Sequence, residues 1–533
     1  MPPTRRICPT SCREPALSSR RRLLGLALLA LLGVSLTIAC LSAATSRVFD
    51  PDVHWLAAAG RQLLATGHVP SANVFSYTAP DHPWLMHEWL LSPLYAWLLE
   101  SLGPSGLPLL ALASCLAMAA LQLQLSVGRA DNRLAGLLVA LFAAGVFAAL
   151  MASPRPTVVA RLFPVGMLAL VTVPRFQRRH AAVVVLLEWV WANAHGSFPL
   201  GLVILLVAAA ATDEDRALRL KTTAAAALFT LLNPAGWHLH ALVLGYLTGG
   251  SATLALVHAH VREFRSAFVL LEDPWPFFEL GGLALVFVLS LHALARRRHC
   301  ARAALALVLC LMGLAQARHV MLAILLGAPL LLPEVESLLA GRGARLALPS
   351  ARGLSLLLLL PASLLASSAW WLQRSELERA DWIHPSLGGA SFARLATQVP
   401  DGAHVYTHFG VAGRLIWLDS GRGVRVFYDS RNDCYPADVV REAFELADPE
   451  IEPAHALSVL QSRGTDTALL GPFGSLGSIL AASSDWQLSA RDGSWQLWTR
   501  SARSEQIHGA TGGRVQAVDQ ERVGGDGHDD AQE

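Results

Sequence analysis

The chain predicts a polytopic α-helical membrane protein that ends in a small α/β domain outside the membrane, and three observations predict it. Of its 533 residues, 53% are hydrophobic and only 15% charged, where an ordinary soluble chain carries about 25% charged residues; the mean hydropathy is +0.43. Apolar runs near the length of a bilayer crossing, roughly 20 residues, recur between residues 23 and 373. From residue 374 the pattern changes to short strand-like runs alternating with helical ones, which reads as a compact α/β unit.

The first span is Leu23 to Ala44, preceded by Arg20, Arg21 and Arg22. It is long for the apolar region of a cleaved signal, so an uncleaved anchor with residues 1–22 in the cytoplasm is expected. Further runs fall near residues 105–126, 133–151, 158–174, 180–194, 198–212, 220–232, 275–296, 303–317, 319–333 and 353–373, making about 11 spans. The connecting segments alternate between two kinds. One kind is basic: 129–133, 175–180, 216–221, 296–302 and 342–352. The other is SPRPTVVAR, WANAHGSF, LNPAGWHLH, VREFRSAF and QARHV. Positive charge marks the cytoplasmic side, so the second set falls outside.

The first outer loop, 45–104, is long. It holds a helical pattern from Val53 to Ala65 and then HEWLLSPLYAWLLESLG from His87. Pro93 interrupts the latter, and counting it as a crossing would invert every later loop. An interfacial helix is expected, with Trp84, Trp89, Tyr95 and Trp97 forming an aromatic belt. The α/β domain covers 374–500, and the polar, glycine-rich 501–533 is expected to be a disordered tail. A net charge of +2 without arginine runs interleaved with aromatics excludes a nucleic-acid groove. The seven cysteines lack the spacing of a disulfide framework or a zinc site.

Polar groups at membrane depth are costly unless they line a cavity or do chemistry. Here they gather on one side: Asp50 and Asp52 in FDPDVHW, His87 and Glu88 in HEWL, and arginine, histidine and asparagine at the outer helix ends. That set suits a polyprenyl-phosphate sugar, whose lipid lies in the bilayer and whose phosphate sits at the outer surface. Arginine binds phosphate bidentately and stays charged. A carboxylate at a low-dielectric edge can serve as a base, or two can hold a divalent cation.

FDPDVHW, HEWL, RPTVVARLF, WANAHGSF, LNPAGW and ARHV together resemble the motif series of bacterial GT-C superfamily glycosyltransferases, in the group with an RgtA/B/C/D-like transmembrane region. AGRLIW followed by VFYDSRNDCY resembles the extracytoplasmic domain of the same group. The resemblance covers about 22–500. It implies a GT-C-like fold and sugar transfer from a polyprenyl phosphate to an extracytoplasmic glycan, lipid or protein. It places the base or metal ligand at Asp50 or Asp52, the latter preferred, and gives Glu88 the acceptor or the metal. Arg155, Arg161, His195, Arg318 and His319 are its donor-phosphate candidates, and Asn193 and Asn233 would meet sugar hydroxyls or close helix ends. Asp429, Arg431 and Asp433 are candidates for acceptor recognition or for closing a turn. Two other functions fit the class: a non-catalytic envelope assembly factor on the same scaffold, which would tolerate loss of Asp50 and Asp52, and a transporter of lipid-linked substrate, which would need midplane charges and repeated halves.

Overall fold

The computed structural model describes residues 50–103, 106–150, 155–272, 276–340, 389–419, 421–472 and 474–501. The expected first span, the span at 353–373 and the polar tail lie outside the described residues.

Residues 50–103, within the loop expected outside, fold as a helical hairpin. Helix α1 (Asp52–Thr66) ends where Gly67 takes a left-handed conformation, φ 70°, and hands its N–H to Leu63. Helix α2 (Ser92–Leu102) starts at Pro93 rather than being broken by it, because proline lacks only an N–H that the first turn leaves unbonded anyway. The two helices pack so closely that a Cβ at Gly60 would collide with the Ser92 carbonyl. Trp84 and Tyr95 are buried in the core, 4% and 0% exposed. Of the four aromatics expected in an interfacial belt, Trp97 is the exposed one.

The helical bundle comprises α3 (Gly106–Ser126), α4 (Arg133–Leu150), α5 (Pro156–Ala160), α6 (Leu162–Val171), α7 (Arg178–Ala194), α8 (Pro199–Ala210), α9 (Arg216–Phe229), α10 (His238–Thr248), α11 (Ala252–His260), α12 (Pro276–Ala295), α13 (Cys300–Ala315), α14 (Val320–Leu330) and α15 (Leu332–Leu339). Among the described residues one helix, α3, is by itself long and apolar enough to cross a membrane. Two bent pairs, α10 with α11 at 48° and 317–330 with α15 at 55°, would bring the number to three. Several runs counted as full spans are shorter than the roughly 17 residues a crossing needs: α6 has 10 residues and α8 has 12. The run at 158–174 is divided at Arg161, and the one at 319–333 bends beside Pro329 and Pro333. The α10–α11 pair was not among the expected spans. It lies between two of the segments expected outside and docks on the C-terminal domain, where the Thr253 hydroxyl donates to the Tyr435 carbonyl at 3.3 Å.

The C-terminal domain has α16 (Ala390–Ala396), β1 (His404–Tyr406), α17 (Phe409–Leu418), β2 (Arg425–Val426), α18 (Ala437–Ala447), α19 (Pro453–Ser462), β3 (Thr467–Leu470), α20 (Leu476–Ala482), β4 (Trp486–Asp492) and β5 (Trp495–Arg500). The sheet order is β2-β1-β3-β5-β4. Strands β1, β2 and β3 run parallel, and β5 is antiparallel to β3 and β4. Strand β2 is an edge, and the first outer loop covers it: the Val426 N–H donates to the Phe75 carbonyl at 2.9 Å, and the Tyr77 N–H to the Val426 carbonyl at 3.3 Å. Tyr77 then stacks flat on His404 with ring centres 4.4 Å apart, and its hydroxyl lies 2.7 Å from that of Thr465. One continuous core therefore runs from Val53, Leu56 and Trp84 into Val405, Phe427 and Leu469. The helical bundle has a separate core.

Candidate active site

The site lies where the first outer loop, the bundle and the C-terminal domain meet. Asp50 is 3% exposed and accepts the Asp52 N–H at 2.9 Å, a local turn that starts α1. Arg155 precedes Pro156, which biases it away from helix, and it stands extended at φ −59°, ψ 150°. From there its guanidinium pairs with Asp50 and reaches Asp52 at 3.7 Å and Glu263 at 3.3 Å. Asp52 is the more open aspartate, its side chain 28% exposed against 1% for Asp50. The Trp55 indole N–H is shared between Asp52 at 3.2 Å and Ser430 of the C-terminal domain at 3.1 Å. A Cβ at Gly413 of α17 would sit 2.7 Å from the Pro51 carbonyl oxygen. Only glycine lets α17 support the start of α1 this closely.

Glu88 is buried beside two histidines, with His195 Nε2 at 3.6 Å and His87 Nε2 at 4.0 Å. The Ser197 N–H donates to His195 Nδ1 at 3.1 Å. The Nδ1 atom is thus an acceptor, and a neutral ring carries its proton on Nε2, toward Glu88. Burial lowers His195 to about 3, helped by the charges of His87, Arg318 and Arg161. Burial raises Asp50 to about 7 against the pull of Arg155, and it raises Asp52 against Arg155 and the Ser430 bond. Glu88 is pushed well up by burial and by the charges of Asp52, Asp433 and Asp50. Asp433 is raised to about 7 by burial, and its Oδ2 is buried without a hydrogen-bond partner among the described residues.

The remaining cations approach from the bundle. Arg318 stacks on Phe264 at 4.4 Å and feels the charges of Glu263 and Arg155. His319 follows it in the chain and feels the charges of Arg318 and Arg161. A chain of ion pairs and charge interactions therefore runs from Asp50, Asp52 and Glu88 through Arg155 and His195 to Arg161, Arg318 and His319.

Two candidates do not join them. Asn193 is a bracket: its side chain accepts from Trp89 at 2.9 Å and donates to the Trp189 carbonyl at 2.8 Å and the Leu232 carbonyl at 3.2 Å. Asn233 closes its own turn, donating to the Thr230 and Gly236 carbonyls and accepting the Ala235 N–H. The Asn193 amide is taken up by two carbonyls and the Trp89 indole, and the Asn233 amide by the backbone of its own turn. Asp429 and Arg431 likewise form a sealed bidentate pair, 0% exposed on both sides, whose arginine also donates to Asn73 at 2.8 Å and lies over Trp84. They tie the first outer loop to the C-terminal domain and do not face an acceptor. Cys434 is buried beside them, its thiol donating to the Arg431 carbonyl.

Glu263, Trp55 and Ser430 were missed as site residues. Glu263 stands within VREFRSAF, one of the polar outer segments, which was the available signal. Nothing local marks Ser430, which reaches Asp52 only through the docking of two distant segments. As for a divalent cation, Asp50 and Asp52 hold a guanidinium between them, and no group of three or more histidine, cysteine, aspartate or glutamate donors gathers as a metal site among the described residues. As arranged, the two aspartates are bridged by an arginine.

This arrangement, a helical bundle with a long helical loop clasped by a terminal α/β domain, is a fold shared with solved structures of ArnT and of an archaeal oligosaccharyltransferase. Crystal structures of ArnT from Cupriavidus metallidurans, in the apo state and bound to undecaprenyl phosphate, match with TM-score 0.51 at 14% identity, covering 90% of this chain and 98% of that one. The oligosaccharyltransferase AglB from Archaeoglobus fulgidus, with an inhibitory peptide and a dolichol-phosphate, matches with TM-score 0.50 at 13% identity, over 84% of this chain and 69% of that one. The same archaeal enzyme complexed with Zn and sulfate matches with TM-score 0.50 at 12% identity. No family model matches the sequence, and no curated protein matches it.

Proposed function

We propose that the chain is a membrane glycosyltransferase that transfers a sugar from a polyprenyl-phosphate donor to a glycan, lipid or protein acceptor outside a bacterial cytoplasmic membrane, with inversion. The observation that carries this is the meeting of Asp50, Asp52, Glu88, His195 and Arg155 at one end of a bundle whose other end carries the arginine-rich loops. The N-terminus and the arginine loops face the cytoplasm, about 11 segments cross or enter the bilayer, and the 374–500 domain lies outside. ArnT is solved with undecaprenyl phosphate and AglB with a dolichol-phosphate, and a donor of that chemistry suits the cations here.

Asp52 is the base. It is the aspartate a substrate can reach, and burial holds its proton affinity above that of an ordinary carboxylate, which suits proton uptake near neutral pH. The acceptor hydroxyl oxygen attacks the anomeric carbon, its proton passes to Asp52, and the bond from that carbon to the phosphate oxygen breaks with its electron pair left on the phosphate. Arg318 and Arg161 receive that charge. Arg155, held by three carboxylates, fixes Asp50 and Asp52 in place, and Glu88, faced by the His195 Nε2 proton, orients the acceptor. A divalent cation between the aspartates would first have to displace Arg155.

The test is release of polyprenyl phosphate by the full-length protein in lipid from a panel of radiolabelled polyprenyl-phosphate sugars. Release that Asp52→Asn abolishes, in a protein that still folds, supports transfer with Asp52 as base. Cells whose envelope is normal with both Asp50→Asn and Asp52→Asn would sink the catalytic role and favour an assembly factor.

A further inference from the structure

We propose that the end of the bundle opposite the acid site holds a binding cavity for the phosphate headgroup of an anionic lipid, independent of the transfer reaction. A cavity of about 1200 Å³ opens there among α3, α6, α7, the start of α13 and the bend between α14 and α15. Ligand pockets commonly measure roughly 300–1,000 Å³, so it has room for a headgroup and the upper part of a chain.

Its lining is mixed. Leu125, Leu168 and Leu187 supply apolar wall from α3, α6 and α7, and Arg129, Arg133 and Arg302 line it beside the C-terminal end of α3 and the N-terminal ends of α4 and α13. Arg129 is fixed by two bonds, to the Thr172 hydroxyl and, at 2.5 Å, to the Ala169 carbonyl. Its fork retains further N–H donors. Arg302, half-buried in the first turn of α13, has no hydrogen bond or ion pair among the described residues. Burial, and then the nearby Arg302 charge, lower Arg129 to about 10. Glu336, the one acid in the lining among the described residues, already accepts the Asn132 N–H at 2.8 Å.

Two like charges partly withdrawn from water repel unless an anion lies between them. A phosphate offers two oxygens to each guanidinium fork. The apolar side chains that share the lining select a phosphate that carries a hydrocarbon chain. Basic pockets between membrane helices hold lipid headgroups in this way. Arginines spread over a flat surface have neither the convergence nor the apolar wall.

The test is native mass spectrometry of the detergent-solubilised full-length protein titrated with phosphatidylglycerol, phosphatidylcholine or inorganic phosphate. Arg302→Gln should weaken phosphatidylglycerol binding about tenfold, which is about 1.4 kcal/mol. Gly166→Leu should weaken it as much without changing any charge, because a Cβ there meets only Leu187, at 3.9 Å, and the side chain would grow into the cavity. Arg179→Gln, an exposed arginine at the same end, should change nothing, and phosphatidylcholine should not bind. Undiminished binding in both the Arg302 and Gly166 variants, or equal loss in the Arg179 variant, would overturn the proposal. Full displacement of the lipid by millimolar inorganic phosphate would overturn its lipid part, since the cavity would then take the free anion.

Discussion

Arg155 shows how much one side chain decides at the residue scale. It is the shared partner of Asp50, Asp52 and Glu263, and removing it leaves Asp50 as a buried, uncompensated carboxylate. Breaking a buried pair from one side costs roughly 3–5 kcal/mol, so Arg155→Ala should lower the thermal unfolding temperature sharply. Adding Asp50→Asn should recover part of the loss; a double variant no more stable than the single would disprove this account. Asp433 gives a pH signature. Its folded pKa is raised to about 7 from 3.8, mainly by burial, so the folded state holds this proton more tightly than the unfolded chain does. That contribution is full below about pH 4 and is lost as pH rises toward about 7. Asp433→Asn should therefore gain stability over the wild type as pH rises through that window, and a constant gap from acid to neutral pH would refute it.

At the element scale, α17 and the covered edge of β2 hold the outer body together. Gly413 allows α17 to touch Pro51 and Trp55. Gly413→Val should force the two apart and cost about 1–3 kcal/mol, measurable as a lower denaturant midpoint. Tyr77→Phe deletes a buried hydroxyl contact with Thr465 and should cost about 1 kcal/mol by the same measurement. The elements themselves were unevenly legible. HVYTHF, TALLGPF and WQLWTR carry β-branched and aromatic residues over short runs, and they contain β1, β3 and β5. Strand β4, WQLSARD, gave no such signal because it is an edge strand with most of its side chains in solvent. Helix boundaries in the bundle were blurred for another reason. Where every face is apolar, periodicity vanishes, and only proline, glycine or an arginine marks a break, as at Arg161 and Pro333.

For the whole molecule, the outer loop and the C-terminal domain share one hydrophobic core. Residues 389–501 produced alone should therefore be unstable, having lost the strand that covers β2 and the helix beneath α17. In the intact protein the Val426 amide should exchange as slowly as those of β3; rapid exchange would show the edge to be open. The joint also explains which candidates converged. Asp50, Asp52, Arg155 and His195 were legible because charge is rare in this chain and its position along the alternating loops has a simple physical meaning. Asn193 and Asn233 looked the same in sequence and proved to be backbone brackets. An amide's partners depend on which carbonyls the fold brings near.

The sequence by itself determined the class of environment, the gathering of the polar residues in one of two alternating sets of connecting segments and the presence of a terminal α/β unit, because these follow from composition, charge asymmetry and local pattern. Tertiary structure alone decided that a guanidinium stands between the two aspartates, that Glu263, Ser430 and Asp433 reach the same place, and that Asp429 and Arg431 are sealed into a joint. Those outcomes depend on contacts between segments hundreds of residues apart, and packing geometry rather than residue type selects among the partners available to each charge.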